Sequence, residues 1–221
     1  MMGWWNEKKA GMYLRAASMN CFHSSLASLI QPYLEKGMSI AELGCGLGTL
    51  THELSSRGFD ITGYDIDDTA LETAARLYPD DTFIKDDCYK LSGVADTALC
   101  VFFGRISIED NYEKLMNTCR KRLIYVSSEH SDYTETTYRE TDGIASYLDS
   151  RKASFTVMKE HLHFDQYLKD EEELQIFIEE NYTKRGRPFS RKVVTVPGVY
   201  PIKVVNDKAF GLFVIEKEEK T

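Results

Sequence analysis

Three glycines at alternate positions, Gly44, Gly46 and Gly48, could form the turn of a binding site. Glycine lets a backbone bend sharply and approach a ligand with no side chain between them. Asp65 follows about 20 residues after this run, at a spacing where a carboxylate can accept hydrogen bonds from both hydroxyls of a ribose. Asp87 is a further carboxylate, and it can accept a hydrogen bond from the amino group of a purine. The set indicates a ligand that contains a nucleoside.

These residues lie at the ends of predicted strands. Apolar runs of strand length alternate with helical patterns between residues 38 and 128, and such alternation is typical of a parallel sheet with right-handed crossovers. Ligands of such sheets bind beyond the carboxyl ends of the strands, where the strand order reverses. The predicted strands are Met38–Leu43, Phe59–Tyr64, Thr82–Ile84, Ala98–Phe103 and Arg122–Ser127; the predicted helices are Leu47–Ser56, Asp68–Leu77 and Tyr112–Arg120.

The flanking segments are predicted to complete a single domain over residues 1–221. Residues 5–35 have a continuous helical pattern, so we expect a helical cap over 1–37. The sheet core is expected over 38–164 and 209–217, ending in a last strand at 210–215. The interval 165–208 is too long for a plain connection, and we interpret it as an insertion that covers the site as a lid. It contains a predicted acidic helix, 170–181, and two short strands, 192–197 and 202–205.

Composition excludes several classes of protein. The 27 basic and 35 acidic residues give a net charge of −8, which disfavours nucleic-acid binding driven by release of counterions. The five cysteines are scattered and form no CxxC pair, so we expect free thiols in a reducing cytoplasm and no metal site. No apolar run has the length of a membrane span, and the first residues have no apolar signal core. We expect a cytoplasmic protein that binds neither membranes nor nucleic acid.

The spacing of the glycines distinguishes between nucleotides. The dinucleotide fingerprint GxGxxG needs glycine where this chain has Thr49, and the phosphate loop GxxxxGK[ST] is absent. ELGCGLG (residues 42–48), GYDID (63–67) and IKDDC (84–88) instead resemble, in order, the first three motifs of class I S-adenosylmethionine-dependent methyltransferases. The resemblance extends from about Ser39 to Ser128. It implies a Rossmann-like, mostly parallel seven-stranded sheet with helices on both faces, S-adenosylmethionine as cofactor and S-adenosylhomocysteine as product.

The resemblance also implies a role for each residue that matches a motif. Glu42 would fix the loop and the amino group of the methionine part, and Asp65 would bind the ribose. The other cofactor contacts it implies are the backbone of Gly44, Cys45, Gly46 and Gly48 near the methionine part, Ile66 against the adenine, Asp87 on the adenine amine, Cys88 through its backbone, and Phe102 and Phe103 beside the methionine part near the transferable methyl group.

Three further residues are candidates for handling the methyl acceptor. His130 follows the fifth predicted strand and has a suitable pKa for a general base, although a histidine in a polar surface loop is the plainer interpretation. Arg105 follows the fourth strand, where it either binds an anionic acceptor or pairs with Glu109 or Asp110. Tyr13, on the first predicted helix, either closes over the site or packs in the core.

The sequence as a whole predicts an enzyme that methylates a small molecule. A cap and an insertion that enclose the site favour a small acceptor, and the basic run at residues 184–192, with Arg105, favours an anionic one. A methyltransferase acting on a protein and a catalytically inactive regulatory protein that binds S-adenosylmethionine stay open as alternatives. A nucleotide-dependent oxidoreductase is disfavoured by Thr49, and we expect a monomer or a homodimer.

Overall fold

The computed structural model describes residues 4–108, 110–129 and 139–218. Its helices and strands alternate along most of the chain. The helices are α1 (Glu7–Met19), α2 (Phe22–Ile30), α3 (Thr49–Ser56), α4 (Asp68–Leu77), α5 (Asn111–Thr118), α6 (Arg139–Ser150) and α7 (Glu171–Asn181). The strands are β1 (Ser39–Leu43), β2 (Asp60–Asp65), β3 (Thr82–Lys85), β4 (Ala95–Val101), β5 (Cys119–Ser128), β6 (Ser154–His163), β7 (Gln166–Leu168), β8 (Val193–Thr195), β9 (Ile202–Val204) and β10 (Asp207–Glu216).

The main sheet has seven strands in the order β3-β2-β1-β4-β5-β10-β6. The strands β1 to β5 are parallel to their neighbours, whereas β10 is antiparallel to both β5 and β6. The strand order reverses between β1 and β4, so a crevice opens there at the carboxyl edge of the sheet. The predicted Rossmann-like, mostly parallel seven-stranded sheet with helices is confirmed.

Helices cover both faces of this sheet because its central strands are apolar on both sides. On one face, Leu26 of α2 and Leu54 of α3 pack in a core with Leu99 of β4. On the other face, Leu115 of α5 and Leu148 of α6 pack in a second core. Among the described residues, no helix is both long and apolar enough to cross a membrane.

The helical cap differs from the prediction of one helical stretch. It is two helices, α1 and α2, separated at Asn20 and Cys21. The Asn20 side-chain amide donates to the carbonyl oxygens of Ala16, at 2.7 Å, and Asp165, at 2.9 Å. The side chain therefore binds the last turn of α1 and the start of the insertion at once, in place of a continued helix.

Strand boundaries also differ in ways that affect the site. The fourth strand begins at Ala95 and ends at Val101, two residues before the predicted end, because Phe102 has a φ of 52°. The fifth strand begins at Cys119, inside the predicted helix. The last strand begins at Asp207, before the predicted start of the core segment at 209.

The interval 165–208 folds into α7 and a three-stranded sheet in the order β7-β9-β8, and it contacts α1. The Arg15 guanidinium donates to both carboxylate oxygens of Glu173, at 2.6 and 2.8 Å, and to the carbonyl oxygen of Tyr167 at 2.9 Å. This bidentate pair raises the pKa of Arg15 and lowers that of Glu173. Helix α1 is thereby held between the sheet and the insertion.

Candidate active site

The glycine run forms the turn between β1 and α3. Gly44, Gly46 and Gly48 have φ values of 72°, 54° and 74°, a region that glycine enters at little cost. The backbone N–H groups of Gly44 and Cys45 both donate to the carbonyl oxygen of Tyr64, at 2.7 and 3.0 Å, which ties the turn to β2. The Cys45 thiol is buried, and burial raises its pKa, so this residue can offer a ligand its backbone and not a thiolate.

Asp65, at the end of β2, organises the turn. Its carboxylate accepts the Gly46 N–H at 2.8 Å through one oxygen and the Asp67 N–H at 2.9 Å through the other. A carboxylate has about four acceptor positions, so two stay available for the hydroxyls of a ribose. Asp67 in turn caps α4 by accepting the Ala70 N–H at 3.2 Å, and it accepts the Trp5 N–H at 3.1 Å.

The next two strand ends supply an apolar surface and a second carboxylate. The Ile66 side chain is 66% exposed, which is unusual for isoleucine, and it lies directly after Asp65. Asp87 follows β3, accepts the Tyr89 N–H at 3.1 Å and pairs with Lys90 at 3.1 Å, and its side chain is 38% exposed. Cys88 is buried, and burial raises the pKa of its thiol to about 12, so it is not a nucleophile.

Glu42 lies beneath the turn and does not point into open solvent. It is buried, and the Thr51 hydroxyl donates to its carboxylate. Burial raises the pKa of Glu42 to about 7, so this side chain exchanges its proton near neutral pH. A cation bound above the turn would draw the pKa back down.

Two aromatic rings close over the glycine turn. A Cβ atom placed on Gly44 would lie 2.7 Å from Cγ of Phe103, and one placed on Gly46 would lie 3.4 Å from the Trp5 ring. Phe103 also faces Tyr89, with ring centroids 5.8 Å apart. We call the carboxyl ends of β1, β2 and β3, with these two rings, the cofactor side of the crevice.

Phe102 points to the other side of the crevice although it precedes Phe103 directly. Its ring packs with Phe22 of α2 at 6.1 Å and with Phe210 of β10 at 5.9 Å, and Phe164 lies 5.0 Å from Phe22. The amine of Lys208 lies 3.9 Å from the Phe102 ring centroid. We call this group, beyond the ends of β4 and β5, the acceptor side of the crevice.

Tyr13 joins the two sides. Its ring contacts Trp5 at 5.2 Å and Phe164 at 5.1 Å, and its hydroxyl forms a hydrogen bond of 2.8 Å with Nε2 of His23. Burial raises the pKa of Tyr13 to about 12. Burial, and secondarily the charge of Lys208, lowers the pKa of His23 to about 4, so the imidazole is neutral at neutral pH.

The remaining candidates for acceptor chemistry lie apart from this group. Arg105 is exposed in the loop after β4, where its carbonyl oxygen accepts the Asn111 side-chain amide at 2.9 Å. His130 lies outside the described residues. Its neighbour Glu129 is buried, and its carboxylate accepts the N–H groups of Thr141, at 2.7 Å, and Glu140, at 3.1 Å, at the start of α6.

Sequence reasoning missed several residues of the crevice, among them Trp5, Phe22, Phe164 and Lys208. A signal existed for Lys208, because it lies on the same face of a strand as Phe210, Leu212 and Val214, all of which are buried. A lysine at a core-facing position of such a strand marks a buried charge. No local pattern identifies Trp5 or Phe164, since their contacts are made by distant segments.

The cofactor side fits a ligand with a ribose, an apolar ring system and a positive charge. Asp65 has acceptor positions for the hydroxyls, Ile66 an exposed apolar surface, and Asp87 a half-exposed carboxylate for an amine. Glu42 supplies a proton-exchanging carboxyl beneath the turn. Within the described residues, no group of three or more histidine, cysteine, aspartate or glutamate side chains is arranged to hold a metal ion.

Known proteins share this architecture. A family model described as a methyltransferase domain matches residues 40–125, whereas no curated protein matches the chain. The solved structure of magnesium protoporphyrin IX methyltransferase (ChlM) from Synechocystis PCC 6803, with bound S-adenosylmethionine, is 16% identical with a TM-score of 0.53, over 98% of this chain and 87% of that one. The YcgJ protein from Bacillus subtilis is 11% identical with a TM-score of 0.56, over 89% of this chain and 100% of that one.

A third similar structure is Thermoplasma acidophilum 1320, which is 18% identical with a TM-score of 0.53, over 97% of this chain and 100% of that one. At these identities the structures establish the fold. The domain match and the sheet order define a class I methyltransferase fold. The resemblance seen in the sequence is therefore confirmed over residues 40–125, which match a methyltransferase domain, and one protein of the same fold was crystallised with S-adenosylmethionine.

Proposed function

We propose that this enzyme transfers the methyl group of S-adenosylmethionine to a small-molecule acceptor and releases S-adenosylhomocysteine. The observation that carries the proposal is the position of α1. Trp5, just before this helix, lies over Gly46, and Arg15 near its other end is held by Glu173 of the insertion. The segment before α1 thus lies over the glycine turn, and α1 is tied to the insertion, an arrangement that suits a small acceptor better than a folded protein.

When bound, S-adenosylmethionine supplies a methyl group on a positively charged sulfur, which an acceptor lone pair can displace in line. In the proposal, Asp65 accepts hydrogen bonds from the ribose hydroxyls, Asp87 accepts from the adenine amine, and Ile66 covers the adenine. The backbone of Gly44 and Gly46 lies along the methionine part. The proton-exchanging carboxyl of Glu42 stabilises the positive charge beside it.

The acceptor side positions the nucleophile. Its aromatic rings exclude water and orient an acceptor, and positioning alone provides a large part of the acceleration of such a displacement. Tyr13 and the neutral His23 form the hydrogen-bonded pair nearest to this surface, so we propose that they hold the acceptor's polar group. Arg105, in the exposed loop after β4, attracts an anionic acceptor from outside.

The test uses S-adenosylmethionine with a radiolabelled methyl group and a cell extract separated by ultrafiltration into small molecules and retained macromolecules. We expect label to appear in a product of the small-molecule fraction and to be absent when Asp65→Ala replaces the wild type. Label in retained protein would support the protein methyltransferase instead. Cofactor binding without transfer to either fraction would support the inactive regulatory protein.

A further inference from the structure

Lys208 is a cation in apolar surroundings at the edge of the crevice. It begins the buried face of β10, opposite Leu162 of β6 and beyond the end of β5, where Phe210 pairs with Ser128. Its amine lies 3.9 Å from the ring centroid of Phe102, 5.5 Å from that of Phe22 and 6.0 Å from that of Phe164. We call these three rings and the amine the aromatic cage.

The charged groups around the cage do not neutralise the amine. The charge of Lys208 interacts with Arg191 of the insertion and with His23 of α2, and the first of these two groups is a cation. Asp207, which directly precedes Lys208 on β10, pairs with His161 at 3.1 Å. Glu160 of β6 lies opposite Phe210 in the sheet register. Among the described residues, no carboxylate forms an ion pair with Lys208.

An ammonium group in such surroundings is costly to keep charged. Burial, with the nearby Arg191, lowers the pKa of Lys208 to about 8. The rings stabilise the positive charge in part, through the negative faces of their π-systems. A bound anion would offset this cost, since it would supply an opposite charge and a charge-assisted hydrogen bond.

The cage is held rigidly against the end of β4. The Phe102 N–H donates to the carbonyl oxygen of Val126 at 2.9 Å, and its φ of 52° directs the ring away from Phe103 and toward Lys208. A non-glycine residue in this region is strained, because its Cβ lies close to the following carbonyl oxygen. The strained turn places the Phe102 ring beside the amine of Lys208. Phe102 directly precedes Phe103, whose ring covers Gly44.

We propose that Lys208 is the specificity-determining residue of the acceptor site, and that it binds the carboxylate or phosphate group of a small acid whose apolar part lies against the partly exposed ring of Phe102. This inference rests on the proposed function. Lys208 binds the acceptor and positions its nucleophile, and it takes no part in transferring the methyl group.

The test measures calorimetric binding of three probes to protein saturated with S-adenosylhomocysteine: benzoate, phenyl phosphate and the uncharged benzamide. We expect the wild type to bind one of the two anions about 10-fold more tightly than benzamide, and the two anion titrations show whether the site takes a carboxylate or a phosphate. The anion affinity should fall as the pH rises through the pKa of Lys208, because the neutral amine cannot pair with an anion.

Three variants locate the effect. Lys208→Met should abolish the preference for the anion and leave the affinity for S-adenosylhomocysteine unchanged, whereas Lys208→Arg should retain most of the preference. Lys169→Met, which removes an exposed lysine of the insertion, should behave as the wild type. Retained binding of S-adenosylhomocysteine by each variant shows that it is folded.

The outcomes separate the two claims. If S-adenosylhomocysteine does not bind, the proposed function fails. If it binds but neither anion does, or if benzamide binds as tightly as the anions, or if Lys208→Met binds the anion like the wild type, the role of Lys208 is wrong and the methyltransferase assignment is unaffected.

Discussion

The two sides of the crevice are built from different chemistry. The cofactor side has carboxylates on consecutive strand ends. These carboxylates accept hydrogen bonds from backbone N–H groups of the glycine turn and of the start of α4. The acceptor side has aromatic rings and the amine of Lys208, which α2, the end of β4, the residue before the insertion and β10 contribute separately. The first arrangement suits one fixed cationic ligand. The second is a surface whose selectivity depends on a few side chains.

Among substitutions that test this difference between the two sides, we expect the largest effect from a substitution of Asp65. Asp65→Ala removes the acceptor for the Gly46 and Asp67 N–H groups as well as the proposed ribose partner. We expect the affinity for S-adenosylhomocysteine to fall about 100-fold, measured by calorimetry. Asp60→Ala, at the exposed start of the same strand, is the matched control and should bind like the wild type. Equal affinities of the two variants would show that the carboxylate edge does not hold the cofactor.

The glycine turn should be the next most sensitive feature. Gly44→Ala adds a Cβ 2.7 Å from the Phe103 ring at a φ of 72°, so we expect urea unfolding to show a loss of about 2–3 kcal/mol. Gly143→Ala, in the middle of α6 with open space around it, should instead gain about 0.5–1 kcal/mol. The double variant Gly44→Ala with Phe103→Leu should recover part of the loss, and no recovery would argue against the close contact of Phe103 with the turn.

His23 gives the acceptor side a pH-dependent stability. Its pKa is about 4 in the folded protein and 6.5 in the unfolded chain, so the unfolded chain binds more protons between these values. The contribution of His23 to the free energy of unfolding should therefore be fully present above pH 6.5, and the free energy of unfolding should fall by about 2 kcal/mol as the pH decreases toward 4. In urea titrations at each pH, His23→Phe should not show this decrease in the free energy of unfolding between pH 6.5 and 4. If the variant shows the same decrease as the wild type, a group other than His23 is responsible for it.

Glu42 should produce the opposite dependence on the cofactor side, with a smaller net effect. Its pKa is about 7 in the folded protein and 4.5 in the unfolded chain, so stability declines as the pH rises from 4.5 through 7. Glu42→Gln keeps an acceptor for the Thr51 hydroxyl and loses this decline. We expect it to be more stable than the wild type by about 1 kcal/mol above pH 8 in urea unfolding. A variant less stable than the wild type at that pH would contradict the raised pKa.

The two sides also differ in how far the sequence could predict them. The cofactor side follows from local patterns, since Gly44, Asp65 and Asp87 each end a strand in chain order and parallel strands bring such ends together. The seven-stranded sheet follows from the same alternation. The break of the cap at Asn20 could not be predicted, because its side chain is held by Asp165, a contact between segments distant in sequence.

The acceptor side depends on contacts of that kind throughout. Phe22, Phe164 and Lys208 come together only because β10 is inserted between β5 and β6 and α2 packs over it. The direction of Phe102 depends on a positive φ at the end of β4 that no sequence pattern indicates. Residues chosen from loop positions alone, such as Arg105, consequently lie outside this group.

Calorimetric titration of the wild-type protein with S-adenosylhomocysteine, S-adenosylmethionine and, as a comparison, NAD shows which nucleoside ligand the cofactor side binds. The carboxylate edge predicts micromolar binding of the first two ligands and none of the dinucleotide. Binding of NAD alone, or of no ligand, would contradict the account of this crevice as a site for S-adenosylmethionine.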